Sequence, residues 1–162
     1  MLKNYKLYSI KNMLIERQRL RRNGRPLVLV NGCFDLLHAG HVYFLLHAKW
    51  LGSALVVVLN TDRSVRELKG EGRPIYKEQY RAYMLAALTC VDYIVMFPGL
   101  SYTPEVAKIQ PDVVAFGRDS SEVKERSNAA TLAAIYPRAR IEFISLPIGP
   151  STSTTIKLRT NV

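Results

Sequence analysis

Two histidines three residues apart, His38 and His41, are separated by Ala39-Gly40 and preceded by Asn31-Gly32-Cys33-Phe34-Asp35. The apolar run Leu27 to Val30 leads into this stretch, and a helical pattern follows from about Gly40 to Leu51. A strand that hands the chain to a helix N-terminus there creates an anion site, because unpaired N–H groups and the positive end of the helix dipole face outward. Two imidazoles add hydrogen-bond donors suited to phosphate oxygens. The spacing therefore predicts a nucleotide-phosphate site. Two other readings stand beside it: a histidine pair at the edge of the core, and a metal pair. His47 is the third histidine and lies on a different helical face from His41, and no Cys or Glu cluster completes a zinc set.

Other residues have types suited to phosphate chemistry. Lys69 and Arg73, in Leu68-Lys69-Gly70-Glu71-Gly72-Arg73-Pro74, are cations in a Gly-rich segment that could close over phosphates; a plain charged surface loop is the alternative. The segment is neither a P-loop nor a dinucleotide fingerprint. Gly32 permits close approach of the backbone to a ligand or simply makes a turn. Asp35 lies in the same turn, where an Asx turn is the alternative to a ligand-binding role. Ser153, Thr154 and Thr155 open a last helical pattern, as phosphate donors or as an N-cap cluster.

The order of these motifs resembles the HxGH nucleotidyltransferase superfamily in its cytidylyltransferase-like branch, and the resemblance spans nearly the whole chain. Arg19 to Arg25 before the first apolar strand, Asn60-Thr61-Asp62-Arg63-Ser64-Val65 and Leu68 to Pro74 are similar to the adenylyltransferase domain that makes ADP-heptose from heptose 1-phosphate. The resemblance implies transfer of a nucleoside monophosphate from an NTP, with ATP favoured, to a sugar phosphate, with release of pyrophosphate. His38, His41 and Lys69 would be catalytic. Asn31, Gly32, Cys33, Phe34, Gly117, Arg118 and Asp119 would line the nucleotide with Ser153, Thr154 and Thr155. Asp35, Asp62 and Arg73 would face the acceptor. Mg²⁺ would be carried with the NTP, and a homodimer is implied. Two departures stand out. The heptose enzymes read Lys-Gly-Gly-Asp where this chain reads Phe116-Gly117-Arg118-Asp119, and Ile148 occupies the position of an arginine in glycerol-phosphate cytidylyltransferases. CTP-dependent transfer to an alditol or amino-alcohol phosphate remains an alternative, as does a non-catalytic nucleotide- or RNA-binding module.

The 162 residues fit one domain, and the composition, 48% apolar and 22% charged, is that of a globular protein. No apolar run is long enough to span a bilayer, and the N-terminal stretch is basic rather than a signal segment, which predicts a cytoplasmic protein. Cys33 and Cys90 are expected to be reduced thiols. The formal net charge is +10. Much of the excess lies in residues 1–25, where Lys3, Lys6, Lys11, Arg17, Arg19, Arg21, Arg22 and Arg25 face Glu16 alone. A solvated basic helix preceding the core, attraction of polyanionic substrates and nucleic-acid binding all fit such charge; without interleaved aromatics, nucleic acid fits least.

Apolar runs alternate with helical patterns, which predicts an α/β domain with a parallel sheet. Helices are expected at Ser9 to Arg22, Gly40 to Leu51 with Val42, Leu45 and Leu46 inward, Lys77 to Leu88, from Pro104, from Ser120 or Ser121 to Tyr136, and from Ser153. Ser64 to Leu68 reads as a single turn in a loop. Strands are expected at Leu27 to Val30, Ala54 to Leu59, Tyr93 to Phe97, Val113 to Phe116 and Ile141 to Leu146. A Rossmann-like, doubly wound sheet of these five, in order 3-2-1-4-5, would set the switch point between the first and fourth. Asn31 to Asp35 and Gly117 to Asp119 would then converge on one crevice.

Overall fold

Successive residues of each strand feed opposite faces of the sheet, and this alternation sets the architecture. In a computed structural model, residues 6–99, 104–117 and 129–145 are described. The strands are β1 (Leu7–Tyr8), β2 (Leu27–Gly32), β3 (Ala54–Asn60), β4 (Tyr93–Phe97), β5 (Val113–Gly117) and β6 (Arg140–Ile144). The helices are α1 (Ile10–Arg22), α2 (Ala39–Trp50), α3 (Asp62–Lys69), α4 (Glu78–Ala87), α5 (Pro104–Ala107) and α6 (Ala129–Ile135). All the strands pair in parallel in the order β1-β4-β3-β2-β5-β6. The expected five-strand order is thus present, with one further strand. The two residues of β1 pair Leu7 with Ile94 at the sheet edge, a span too short to carry a readable pattern.

Val28 and Val30 of β2 and Leu55, Val57 and Leu59 of β3 pack with Phe44, Leu45 and Ala48 of α2 and Ala82, Leu85 and Ala86 of α4. Leu27, Leu29, Ala54, Val56 and Val58 pack on the other face with Met13 and Leu20 of α1, Val106 of α5 and Leu132 of α6. The sheet is therefore covered on both sides, as a doubly wound fold requires. The inward face of α2 differs from expectation: Phe44, Leu45 and Ala48 are buried, whereas Leu46 is exposed.

Helix α1 begins as expected, with the Ser9 hydroxyl accepting from Asn12 N–H at 3.1 Å. It is not a purely solvated basic face. Arg17 is buried and donates to Asp112 Oδ1 at 2.8 Å and to the Gln110 carbonyl at 2.9 Å. Burial pushes the Asp112 carboxyl up, but the Arg17 and Leu27 N–H donors and the Arg21 charge outweigh it and hold the group below its ordinary value. Cys33 and Cys90 are buried thiols, as expected. No helix among the described residues is long and apolar enough to cross a membrane.

Helix α3 is longer than the single turn expected. It spans eight residues, capped by the Thr61 hydroxyl at its start. The start of the helix expected from Ser120 or Ser121 and the helix expected at Ser153 lie outside the described residues.

Candidate active site

Strand β2 reaches the site because its two neighbours hold it unequally. Six residue pairs join β2 to β3, from Leu27 to Gly32, whereas β2 and β5 pair only at Val28–Val113 and Leu29–Val114. Beyond Leu29 the two strands run on to Gly32 and Gly117 without a shared ladder, so the sheet parts at its carboxyl end where the winding reverses. A crevice at that place is where open α/β sheets take ligands. Asn31, Gly32 and Gly117 stand at its rim. Arg118, Asp119, Ser153, Thr154 and Thr155 lie outside the described residues.

The loop after β2 has a backbone conformation that side chains resist. Phe34 has φ of +45°, the left-handed region disfavoured for a bulky residue. Its ring folds back over Gly32, where an added Cβ would lie 3.0 Å from Phe34 Cε2. The ring is 4% exposed and its centre is 5.1 Å from that of His41. Gly32 thus makes room for an aromatic wedge that backs the second histidine. Backbone strain of this kind persists only where the surroundings fix it.

His38 is not a residue of the helix but its N-cap, with extended backbone and no side-chain capping bond. Its carbonyl accepts from His41 N–H at 2.9 Å and Val42 N–H at 3.2 Å. This places both imidazoles over the first turn of α2, with ring centres 3.8 Å apart and planes 30° from parallel. The first turn carries no acidic side chain to compete for the positive helix end. Burial, and then the Lys69 charge, lower the pKa of His38. Burial, His38 and Lys69 push His41 down to about 4, against a backbone hydrogen bond at Leu36 that raises it. Both rings are therefore neutral at pH 7, each with one N–H and one lone pair. Among the described residues the Nδ1 atoms of both are buried without a hydrogen-bond partner, an arrangement that asks for a polar partner.

Lys69 is the last residue of α3 and is exposed, followed by Gly70 at φ of +88°. The Lys69 charge is felt by both histidine rings.

The acidic candidates are otherwise engaged. Asp35 is buried, and its carboxylate accepts from Arg73 Nη1 at 2.6 Å and from Ile75 N–H at 2.7 Å. Asp35 and Arg73, both expected to face the acceptor, bond each other and pin the loop after α3 to the histidine loop. Asp62 Oδ1 accepts from Glu78 N–H at 2.7 Å and Arg81 Nη2 at 2.8 Å, and Glu78 returns a bond to Asp62 N–H at 2.7 Å. Asp62 thus joins the starts of α3 and α4. Cys33 is buried, and its carbonyl accepts from Arg81 Nη1. Arg81 was absent from the sequence-based candidates. Its signal is positional: it lies four residues before Leu85 and next to Ala82, on the buried stripe of α4.

Comparison with known proteins identifies the family. A family model described as cytidylyltransferase-like matches residues 29–158. The bifunctional protein HldE of Pelobacter propionicus is 44% identical over 145 residues, covering 90% of this chain and 29% of HldE. HldE of Methylococcus capsulatus is 48% identical over 104 residues, covering 64% of this chain and 22% of its own length. The chain thus spans less than a third of the length of the curated relatives it matches. Among solved structures, the lipopolysaccharide core biosynthesis protein of Thermoplasma volcanium superposes with a TM-score of 0.67 at 28% identity, over 77% of this chain and all of that one. Pantoate-beta-alanine ligase of Francisella tularensis shares the fold, with a TM-score of 0.63 at 16% identity over 96% of this chain and 76% of its own. With a match over most of its length, the chain belongs to the cytidylyltransferase-like family of nucleotidyltransferases.

Proposed function

We propose that the chain transfers AMP from ATP to a sugar phosphate such as heptose 1-phosphate and releases pyrophosphate. The observation that carries the reading is the stacked pair of neutral, partly buried imidazoles at the N-terminus of α2, beside Lys69, at the split between β2 and β5. A phosphate oxygen of the acceptor attacks the α-phosphorus in line. The bond from α-phosphorus to the bridging oxygen breaks, and its electron pair leaves on pyrophosphate. Such transfer needs positioning and charge stabilisation more than covalent help.

Each residue supplies one of these. The imidazoles, already oriented by stacking and by the Phe34 ring, face the phosphate oxygens, with the His38 N–H as donor. Lys69 places a point charge where negative charge moves from the α-phosphoryl group to the leaving group. The α2 dipole adds to both. Asp35 and Asp62 already accept from Arg73 and Arg81, so coordination of Mg²⁺ falls to the triphosphate that brings it. There the ion would neutralise the departing pyrophosphate.

The sugar-phosphate assignment is supported by the HldE relatives and by the Thermoplasma protein, named for lipopolysaccharide core biosynthesis. CTP with an alditol or amino-alcohol phosphate is the second reading, supported by the family description. The test is pyrophosphate release with Mg²⁺ across four NTPs and a panel of sugar, alditol and amino-alcohol phosphates. Release with ATP and a sugar 1-phosphate is expected. Release with CTP and an alditol phosphate would transfer the assignment to the second reading. Tight nucleotide binding with no release from any pair would overturn catalysis altogether.

A further inference from the structure

The most deeply buried charge among the described residues is Arg81, with no exposed surface. Its guanidinium bonds three separate segments. Nε donates to the Tyr76 carbonyl at 2.9 Å, Nη1 to the Cys33 carbonyl and Nη2 to Asp62 Oδ1 at 2.8 Å. Simple attachment of α4 to the sheet does not require this, because an apolar side chain of similar volume would fill the space without desolvating a charge. A planar fork that spans three acceptors fixes their relative geometry instead.

Two of those segments belong to the site. Cys33 is in the histidine loop, and Asp62 is the first residue of α3, which ends at Lys69. Helix α3 has little apolar anchorage: its buried residues are Ser64 and Val65. Its placement rests on polar contacts, namely the Asp62–Glu78 exchange, the Ser64 bonds to Asn60 and Gly99, and Arg81. Two of these contacts also bond the histidine loop directly: Asn60 Oδ1 accepts from the Cys33 thiol at 3.9 Å, and Arg81, a charged donor, bonds the Cys33 carbonyl and so holds the loop backbone. Lys69 is about 10 Å along the helix from Asp62, so a tilt of about 10° at that end displaces it by about 2 Å. Displacements of that size cost an active site on the order of 10²-fold in rate.

We propose that Arg81 is a positioning residue that sets Lys69 against His38 and His41 by tying the start of α3 to the Cys33 carbonyl. The kinetic part rests on the nucleotidyl-transfer reading; the structural part does not. The experiment is a histidine NMR titration of the ligand-free protein, in Arg81→Lys, Arg81→Met, Lys69→Met and the double variant Arg81→Met/Lys69→Met. Lys69→Met should raise the His41 pKa by removing one of the charges that lowers it. Arg81→Met should raise it in the same direction, and in the Lys69→Met background it should add nothing. Arg81→Lys keeps the charge but loses the fork, and covers the case in which Arg81→Met fails to fold. Asp62→Ala cuts the tie to α3 while sparing the Cys33 bond, and should reproduce the Arg81→Met shift.

In turnover, Arg81→Lys should lower kcat on the order of 10²-fold with little change in KM for the NTP. An equal His41 shift from Arg81→Met with and without Lys69, or a lowered Tm with unmoved histidine titrations, would overturn the proposal. Absence of turnover in the wild-type protein would count against the transfer reading alone, since the titration still reports on Arg81.

Discussion

His41 should make the protein acid-sensitive in a window that its surroundings define. Its folded-state pKa is pushed down to about 4 by burial, by His38 and by Lys69. In the unfolded chain the ring returns to the ordinary value of about 6.5. The unfolded state therefore takes up the proton first as pH falls. The stability that depends on a neutral ring is fully present above the unfolded value and drains away between the two. Between about pH 7.5 and about pH 5, linkage places the loss near ~2 kcal/mol. His41→Gln keeps a polar side chain of similar reach and removes the titration. Urea unfolding of both proteins at the two pH values gives the difference directly, and the carboxylates and His38, present in both, cancel to first order. The wild-type protein should lose ~2 kcal/mol more than the variant. Equal losses would show that His41 is not held neutral by its surroundings, and the description of the site as a pair of neutral imidazoles would fail.

Three further outcomes are expected. His41→Ala should lower turnover on the order of 10²-fold with the fold intact, as loss of a preorganised polar group does; near-normal pyrophosphate release would remove the histidine from the mechanism. Asp35→Asn should weaken the hold on Arg73 and loosen the loop after α3, so that endoproteinase cleavage after Glu71 accelerates about tenfold, and an unchanged cleavage rate would mean the loop is held elsewhere. Arg17→Met should cost about 2 kcal/mol in urea unfolding without changing KM, because it removes a buried donor from Asp112 and the Gln110 carbonyl; a change in KM alone would place Arg17 in substrate attraction instead.

The elements that could be read from the chain are those whose pattern is a consequence of burial. Leu27 to Val30 of β2 and Ala54 to Leu59 of β3 are apolar without interruption because both faces are covered, and their neighbours follow from the same alternation. The histidine motif was readable because its types and spacing are local. Helix α3 was underestimated because DRSVRELK buries only one apolar side chain; tertiary hydrogen bonds decide its length. The pairing of Asp35 with Arg73 and the tie from Arg81 to Asp62 join residues far apart in the chain, and a charged residue in a helix reads first as solvent-facing. Asp35, Arg73 and Asp62 read from the sequence as ligand-facing because their partners are not visible there: in the fold Asp35 pairs with Arg73, and Asp62 with Arg81.

The edge strand β1 also bears on how the chain reaches this state. Leu7 pairs with Ile94, and Arg17 of the following helix bonds Asp112, so the first segment of the domain to leave the ribosome has partners that are made much later. Neighbouring β2 and β3 close a short loop, whereas β1 and α1 wait for β4 and β5. Until β2 and β3 form, the apolar side of α1, with Met13 and Leu20, lacks the strand residues that cover it in the fold. The basic charge along the rest of the helix keeps the waiting segment hydrated and repels other copies of itself.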